Sequence, residues 1–521
     1  MRRLVTVATA ALLLATLACG GPAADDTDPG QTGGEAAPLR ILNSFVATGI
    51  DPAEPGAQWC WEFGYCEHPM RLGADGEPEP WVLEALDQVD ELTWRLTLRE
   101  GVTFQNGTAV DGAALAAGMQ RQIDEFAALA AILPGATAQA TGALEVTLRT
   151  AEPVAIVPQL LAERTLFPVY DAAAVLTAGE DLAGAGIFTA PYAVTGLDDE
   201  RLTLAAHPGY WGGTPALPGV EVRFVSDGQA RILALQNGEA DIVLYPPGGV
   251  QDILAGQDAI TLRRQPVAQE AMRLAPNVGE GLTGELAVRR AVALGVDYRA
   301  IAQDVMGGLY DVAEGMYPAE LPYALTTQRT DPAEAARVLD AAGWVPGPDG
   351  VRARDGVPLS LVLLAYPQQP DTATVAVAIQ AQLAPVGIGV EIRQVDDINA
   401  VISEPPQWDL ALIFNTTYSF FSGDTVTPLR RYLYSTSEDN AGRCGVADPE
   451  LDSIIDTLQG TVDAGERDRL LRRAQEIVMS EQHYLMIAGL KPFPVLVNRA
   501  YSGFEVPTDR RLITAETAPT G

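Results

Sequence analysis

The chain has 521 residues, a formal net charge of −34 and a pI near 4.3, a surface that repels nucleic acid and anionic lipid headgroups. Apolar residues make up 47% of it, enough for sizeable cores, so general disorder is excluded and the length suits roughly two to four domains.

Arg2 and Arg3 precede an apolar run from Leu4 to Leu17, too short to span a bilayer and patterned as a secretory signal. No second run of spanning length follows, so the mature protein is not expected to be integral to a membrane. Residues 20–37, rich in Gly, Ala, Asp, Pro and Thr without apolar periodicity, read as a solvated tether. Leu39 to Phe45 is a first strand, and Trp59 to Tyr65 (Trp-Cys-Trp-Glu-Phe-Gly-Tyr) is an aromatic cluster. Trp94, Leu96 and Leu98 alternate on one strand face, Asn106-Gly107 reverses the chain, and Asp111 caps a helix running through Met119 to Ile123.

Tyr192 to Leu197 and Arg201 to Ala206 form a hairpin around Asp198-Asp199-Glu200, and Val220 to Val225 is a further strand. Asp227 caps a helix whose apolar face holds Ile232, Leu233 and Leu235, Gly238 ends it, and Ile242 to Leu244 is a buried strand. A helical pair follows, with Leu286, Ala291 and Val292, then Ile301 and Val305, as its apolar faces and Gly307-Gly308 as its stop. Helices at 332–342, 374–386, 451–458 and 467–480 alternate with strands at 390–395, 409–414, 484–487 and 493–498, which argues for a second α/β body.

Little here points to catalysis. The only lysine, Lys491, follows no glycine loop, so a P-loop is absent. His68, His207 and His483 are too scattered for His-Glu-x-x-His, and no Gly-x-Ser-x-Gly elbow exists. Acidic residues are abundant, so a carboxylate pair for glycoside hydrolysis stays open. Neither histidines nor cysteines show ligand spacing, so no protein-only metal site and no cofactor are expected. Cys60 pairs with Cys66 across a short loop or with Cys444; the spacing does not choose.

Several segments resemble the extracytoplasmic solute-binding proteins of peptide and nickel ABC importers, family 5. They are Gly-x-x-x-Ala-Pro-Tyr at 186–192, "GYWGGTP" at 209–215, "ARILALQNGEADI" at 230–242, the long stretch from Gly76 to Leu115, and "TGELAVRRAVALGVDYRAIAQDVMGG" at 283–308. Leu17-Ala18-Cys19-Gly20 resembles a bacterial lipobox, in which Cys19 becomes the lipid-bearing N-terminus. The resemblance implies an α/β, two-lobed periplasmic-binding-protein fold of type II with an extra small domain. Its expected parts are a signal at 1–19, a tether at 20–37, lobe I from 38–75, 186–272 and 485–521, the small domain at 76–185 and lobe II at 273–484. The chain would cross between lobes near Arg273 and near Tyr484, and such a double crossing is a hinge.

The implied role is that of a monomeric lipoprotein on the outer face of the plasma membrane, capturing a peptide or nickel chelate and passing it to the transmembrane subunits of an ABC permease. The alternative is a secreted hydrolase with a carboxylate pair in the cleft. In the peptide-binding branch an aspartate holds the peptide amine; here Phe421, within Tyr418-Ser419-Phe420-Phe421, stands at that place, with Asp424 nearby. In the nickel-type branch an arginine near the position of Arg164 meets chelate carboxylates, which a guanidinium does bidentately. Arg164, Trp59, Trp61, Tyr418, Phe421 and Asp424 are the candidate ligand residues.

Overall fold

The computed structural model describes residues 37–520, apart from 55, 56, 58, 74, 75, 180, 367, 368, 397, 403–407, 416–423, 438, 439 and 441–443. The signal, Cys19, nearly all of the tether, Tyr418 and Phe421 lie outside the described residues.

Three sheets carry the architecture. The first has seven strands in the order Ile260–Arg264, Pro494–Asn498, Ile242–Leu244, Leu39–Asn43, Gly219–Phe224, Arg201–Ala206, Tyr192–Leu197. Leu39–Asn43 runs parallel to both of its neighbours, and every other pairing is antiparallel. The hairpin forms because Leu202 and Leu204 face one core while Asp198 closes the turn, its Oδ1 accepting from the Glu200 and Arg201 amides at 2.8 and 2.9 Å. Helix Gly228–Gln236 starts at Asp227, whose side chain accepts from the Ala230 amide. It buries Ile232 and Leu235 beneath the sheet, but Leu233 is 56% exposed. At about 100° per residue, Leu233 falls off the stripe that Ile232 and Leu235 define. Leu286 is likewise exposed at the first position of helix Leu286–Gly295.

The second sheet has the order Gly389–Gln394, Ser360–Ala365, Leu410–Asn415, Glu270–Pro276, Met486–Lys491. Ser360–Ala365 is parallel to both neighbours. Leu410 and Leu412 point into a core with helices Leu286–Gly295, Pro332–Ala341 and Pro370–Leu383, while Ala411 and Ile413 point into another with helices Val426–Leu433 and Pro449–Gly460. That period of two, with both faces covered, is why the strand reads as one apolar run.

The crossings differ from the expectation. Met486–Lys491 pairs with Glu270–Pro276 in the second sheet, so the chain returns to the first sheet only between Lys491 and Pro494, and it leaves it between Arg264 and Glu270. Both strands are buried along their whole length. A run as apolar as residues 485–490 fits either sheet, so its pattern alone does not say which one it joins.

The third sheet, Leu83–Asp90, Thr93–Leu98, Glu145–Arg149 and Thr137–Gly142, is antiparallel and falls in the stretch expected to be the small domain. Trp94, Leu96 and Leu98 are all buried against helix Gly112–Glu125, which Asp111 caps. This body also meets a helix of the second lobe, where the Ala155 amide donates to the Gln459 carbonyl at 2.9 Å.

The aromatic turn at 59–66 is held twice. Cys60 and Cys66 form a disulfide with Cα atoms 5.0 Å apart, while Cys444 is buried elsewhere. Gly64 adopts φ +72°, and a Cβ there would lie 2.4 Å from the Ile513 carbonyl, so a segment near residue 513 packs directly on the turn. The "GYWGGTP" motif is organised by Glu67. Its buried carboxylate accepts from Tyr210 Oη at 2.6 Å and from Trp211 and Trp81 Nε1, both at 2.8 Å, and burial raises its pKa.

Candidate ligand cleft

In α/β sheets the crevice for a ligand lies beyond the C-terminal ends of parallel strands, where the following connections diverge. In the first sheet these ends lead to Phe45 and Tyr245, and in the second to Tyr366 and Phe414. Trp59 stacks between Phe45 (5.7 Å) and Phe63 (6.0 Å) and meets Tyr245 edge-on at 6.3 Å. Tyr245 in turn meets Phe493, on the second crossing, at 5.0 Å. On the other side Phe414 and Tyr310 lie 6.1 Å apart, with Lys491 Nζ 5.2 and 5.5 Å from their ring centres.

Between these aromatic walls runs a chain of buried charges. Glu62 is fully buried; its Oε1 accepts from Arg164 Nη1 at 2.5 Å and lies 3.7 Å from Arg510 Nε. Arg510 stacks on Phe493, 3.7 Å from the ring centre, and donates to Glu270 Oε1 at 3.1 Å. Glu270 faces Lys491 in the strand ladder, and Lys491 Nζ donates to Asp371 Oδ2 at 3.2 Å. The same oxygen accepts from Tyr310 Oη at 2.8 Å. Burial of a charge is costly unless a partner compensates it, and here guanidinium, ammonium and carboxylate alternate. Tyr245 lies beside Glu62, Arg510, Glu270 and Arg164, and burial first, then Glu62, raises its phenol pKa.

The two bodies touch around this chain. Arg264 donates to the Gly308 carbonyl at 3.0 Å and to Asp311 at 2.6 Å, and Gly248 approaches Asp371 so closely that a Cβ would sit 3.1 Å from Oδ1. His68, behind Arg164, is fully buried and held neutral, its pKa pushed down to about 3 by burial and by the charge of Arg164.

Of the residues expected from the sequence, Arg164 joins the buried charges through Glu62, and Trp59 packs on Phe45, Phe63 and Tyr245. Trp61 lies in the wall behind it, donating Nε1 to the Asp509 carbonyl at 2.7 Å. The Asp424 carboxylate accepts from the Val426 and Thr427 amides at 2.8 and 3.1 Å, capping helix Val426–Leu433. Sequence reasoning missed Glu62, Glu270, Asp371, Lys491 and Arg510. Two of them carried a signal: Glu62 is the only acid inside the aromatic cluster, and Lys491 interrupts an otherwise apolar strand. A separate cavity of about 280 Å³, lined by Arg290, Arg329 and His483 among others, shares no residue with the cleft. Among the described residues no group of three His, Cys, Asp or Glu side chains is arranged to hold a metal ion.

Two α/β bodies joined by paired crossings, with the charged crevice between them, constitute the two-lobed type II binding-protein fold. The chain belongs to family 5 of the bacterial extracellular solute-binding proteins, whose description ("Bacterial extracellular solute-binding proteins, family 5 Middle") matches residues 77–440. Protein XP55 of Streptomyces lividans is 28% identical over 477 residues, covering 86% of this chain and 82% of that one. The nickel-binding periplasmic protein of Escherichia coli strain K12 is 25% identical over 441 residues, covering 80% and 82%. The crystal structure of NikA from Brucella suis in complex with Fe(III)-EDTA superimposes with a TM-score of 0.82 at 21% identity, covering 93% of this chain and all of that one. Family 5 proteins are extracytoplasmic solute-binding components of ABC importers for nickel- or peptide-type ligands. No helix among the described residues is long and apolar enough to cross a membrane.

Proposed function

We propose that this protein captures a peptide or a nickel-type metal chelate between its lobes and delivers it to the transmembrane subunits of an ABC permease, tethered to the membrane by a lipid on Cys19. Arg164 meets a carboxylate of the solute, and Trp59 supplies an apolar wall. The observation that carries this reading is the buried chain Arg164–Glu62–Arg510–Glu270, which links the first lobe to a crossing strand at the C-terminal ends of the parallel strands. A site so placed gains or loses its water as the lobes close or open, and desolvation strengthens every polar contact made to a bound solute. The similarity to the nickel-binding protein of Escherichia coli supports a metal chelate as one of the two solute classes.

Native mass spectrometry of the mature protein purified from its own host tests the reading. A co-purifying organic species carrying metal, lost in Arg164→Ala, supports the chelate; a ladder of peptide masses supports the peptide. A solute retained equally by wild type and Arg164→Ala removes Arg164 from the site. Intact mass of the membrane-extracted protein tests the lipid: an N-terminus at residue 19 without added acyl mass overturns the anchor.

A further inference from the structure

Among the described residues the charged groups of the cleft divide evenly, Glu62, Glu270 and Asp371 against Arg164, Arg510 and Lys491. Among the described carboxylate oxygens of the cleft, one on Glu62 is both buried and without a donor. Asp371 Oδ2 is taken by Lys491 and Tyr310, and Glu270 Oε1 by Arg510. On Glu62, Oε1 is shared by Arg164 and Arg510, but Oε2 is buried and accepts from no donor. A carboxylate oxygen stripped of water and left without a donor is costly, more so than for a neutral acceptor. The turn that holds it is fixed by the Cys60–Cys66 disulfide, by the contact between Gly64 and Ile513, and by the Trp61 indole bonded to Asp509, so Glu62 is not held there for want of a tighter local fold. The acid nearest to the sequence-predicted amine anchor, Asp424, already accepts from two backbone amides.

We propose that Glu62 Oε2 is the specificity-determining acceptor of the cleft, receiving a charged ammonium or a metal-bound amine of the solute beside the carboxylate partner Arg164. This rests on the solute-capture reading above. The donor is the free amine of a peptide or the metal-bound amine of an amino-acid chelate, both of which keep N–H bonds to give. Guanidinium and carboxylate side by side favour a solute that carries both signs of charge and disfavour one whose amine is blocked.

The test uses the full mature chain and native mass spectrometry with three probes: a proteolytic peptide digest, the same digest after amine acetylation, and nickel(II) with L-histidine. Wild type is expected to take up the untreated digest or the nickel–histidine species and to leave the acetylated digest. Glu62→Gln, isosteric but uncharged, is expected to weaken the accepted probe about tenfold or more, with its unfolding midpoint measured alongside. Wild type that binds acetylated and untreated peptides equally overturns the role of Glu62 while leaving solute capture intact. Wild type that binds nickel–histidine no better than a folded Glu62→Gln protein does the same. Wild type that binds none of the three probes overturns the peptide or chelate reading, and this proposal with it. Should Glu62→Gln fail to fold, the comparison of acetylated and untreated peptides on wild type still decides for a peptide solute, and Glu62→Asp, which keeps the charge, decides for the chelate.

Discussion

Acid should weaken this protein through its buried imidazoles, His68 foremost. His68 is fully buried, packed edge-on against Trp61 at 5.0 Å, and its pKa is pushed from the usual 6.5 to about 3. In the unfolded chain the ring takes a proton as the pH falls below 6.5, whereas in the folded chain it stays neutral. The depressed pKa therefore contributes stability that is intact above 6.5 and is lost progressively as the pH falls from 6.5 towards 3. At 1.36 kcal/mol per pH unit, His68 alone removes about 2 kcal/mol between pH 6.5 and pH 5. The assay is urea unfolding of the mature wild type and of His68→Phe at pH 7.5 and pH 5, since the aromatic replacement cannot titrate. Wild type is expected to lose about 2 kcal/mol more than the variant. Equal losses, or an imidazole NMR signal assigned to His68 that titrates near 6.5, would refute the reasoning.

Lys491→Met should cost about 3 kcal/mol in the same unfolding assay, because it leaves Asp371 buried with only the Tyr310 hydroxyl as donor; adding Asp371→Asn should recover part of the loss. Replacing Cys60 and Cys66 by serine opens a loop of sequence separation 6 and should lower stability by about 2 kcal/mol, read as a shift of the urea midpoint relative to wild type. Gly64→Ala should cost at least about 2 kcal/mol, since alanine tolerates φ +72° poorly and its Cβ meets the Ile513 carbonyl; an unchanged midpoint would mean that the turn moves freely.

The local parts of the fold were legible because their causes are local. The hairpin 192–206, the strand Ile242–Leu244 and the caps Asp111 and Asp227 follow from alternation, a turn acid and a first-turn amide, all within a few residues. The crossings were misplaced because residues 485–490 are apolar on both faces, a pattern that two different sheets satisfy equally. Arg164 came from resemblance, and Trp59 from the density of rings at 59–65. The rest of the cleft was hidden by distance along the chain: Glu62, Glu270, Asp371, Lys491 and Arg510 each look like an ordinary surface charge until the fold brings them together. One acid inside Trp-Cys-Trp-Glu-Phe-Gly-Tyr and one lysine inside an apolar strand were the only traces of that burial.

The bond from Trp61 to the Asp509 carbonyl joins groups 448 residues apart, and Arg510 beside it is what ties Glu62 to Glu270. Proteins of this family work outside the cytoplasm, so their chains cross a membrane before use. Glu62 and Arg510, the two halves of that contact, sit near opposite ends of the chain. Loop closure over so many residues comes late in folding, and until then the crevice has neither its counter-charge nor its floor. The crevice is therefore complete only once the C-terminal segment has joined the turn at 59–66.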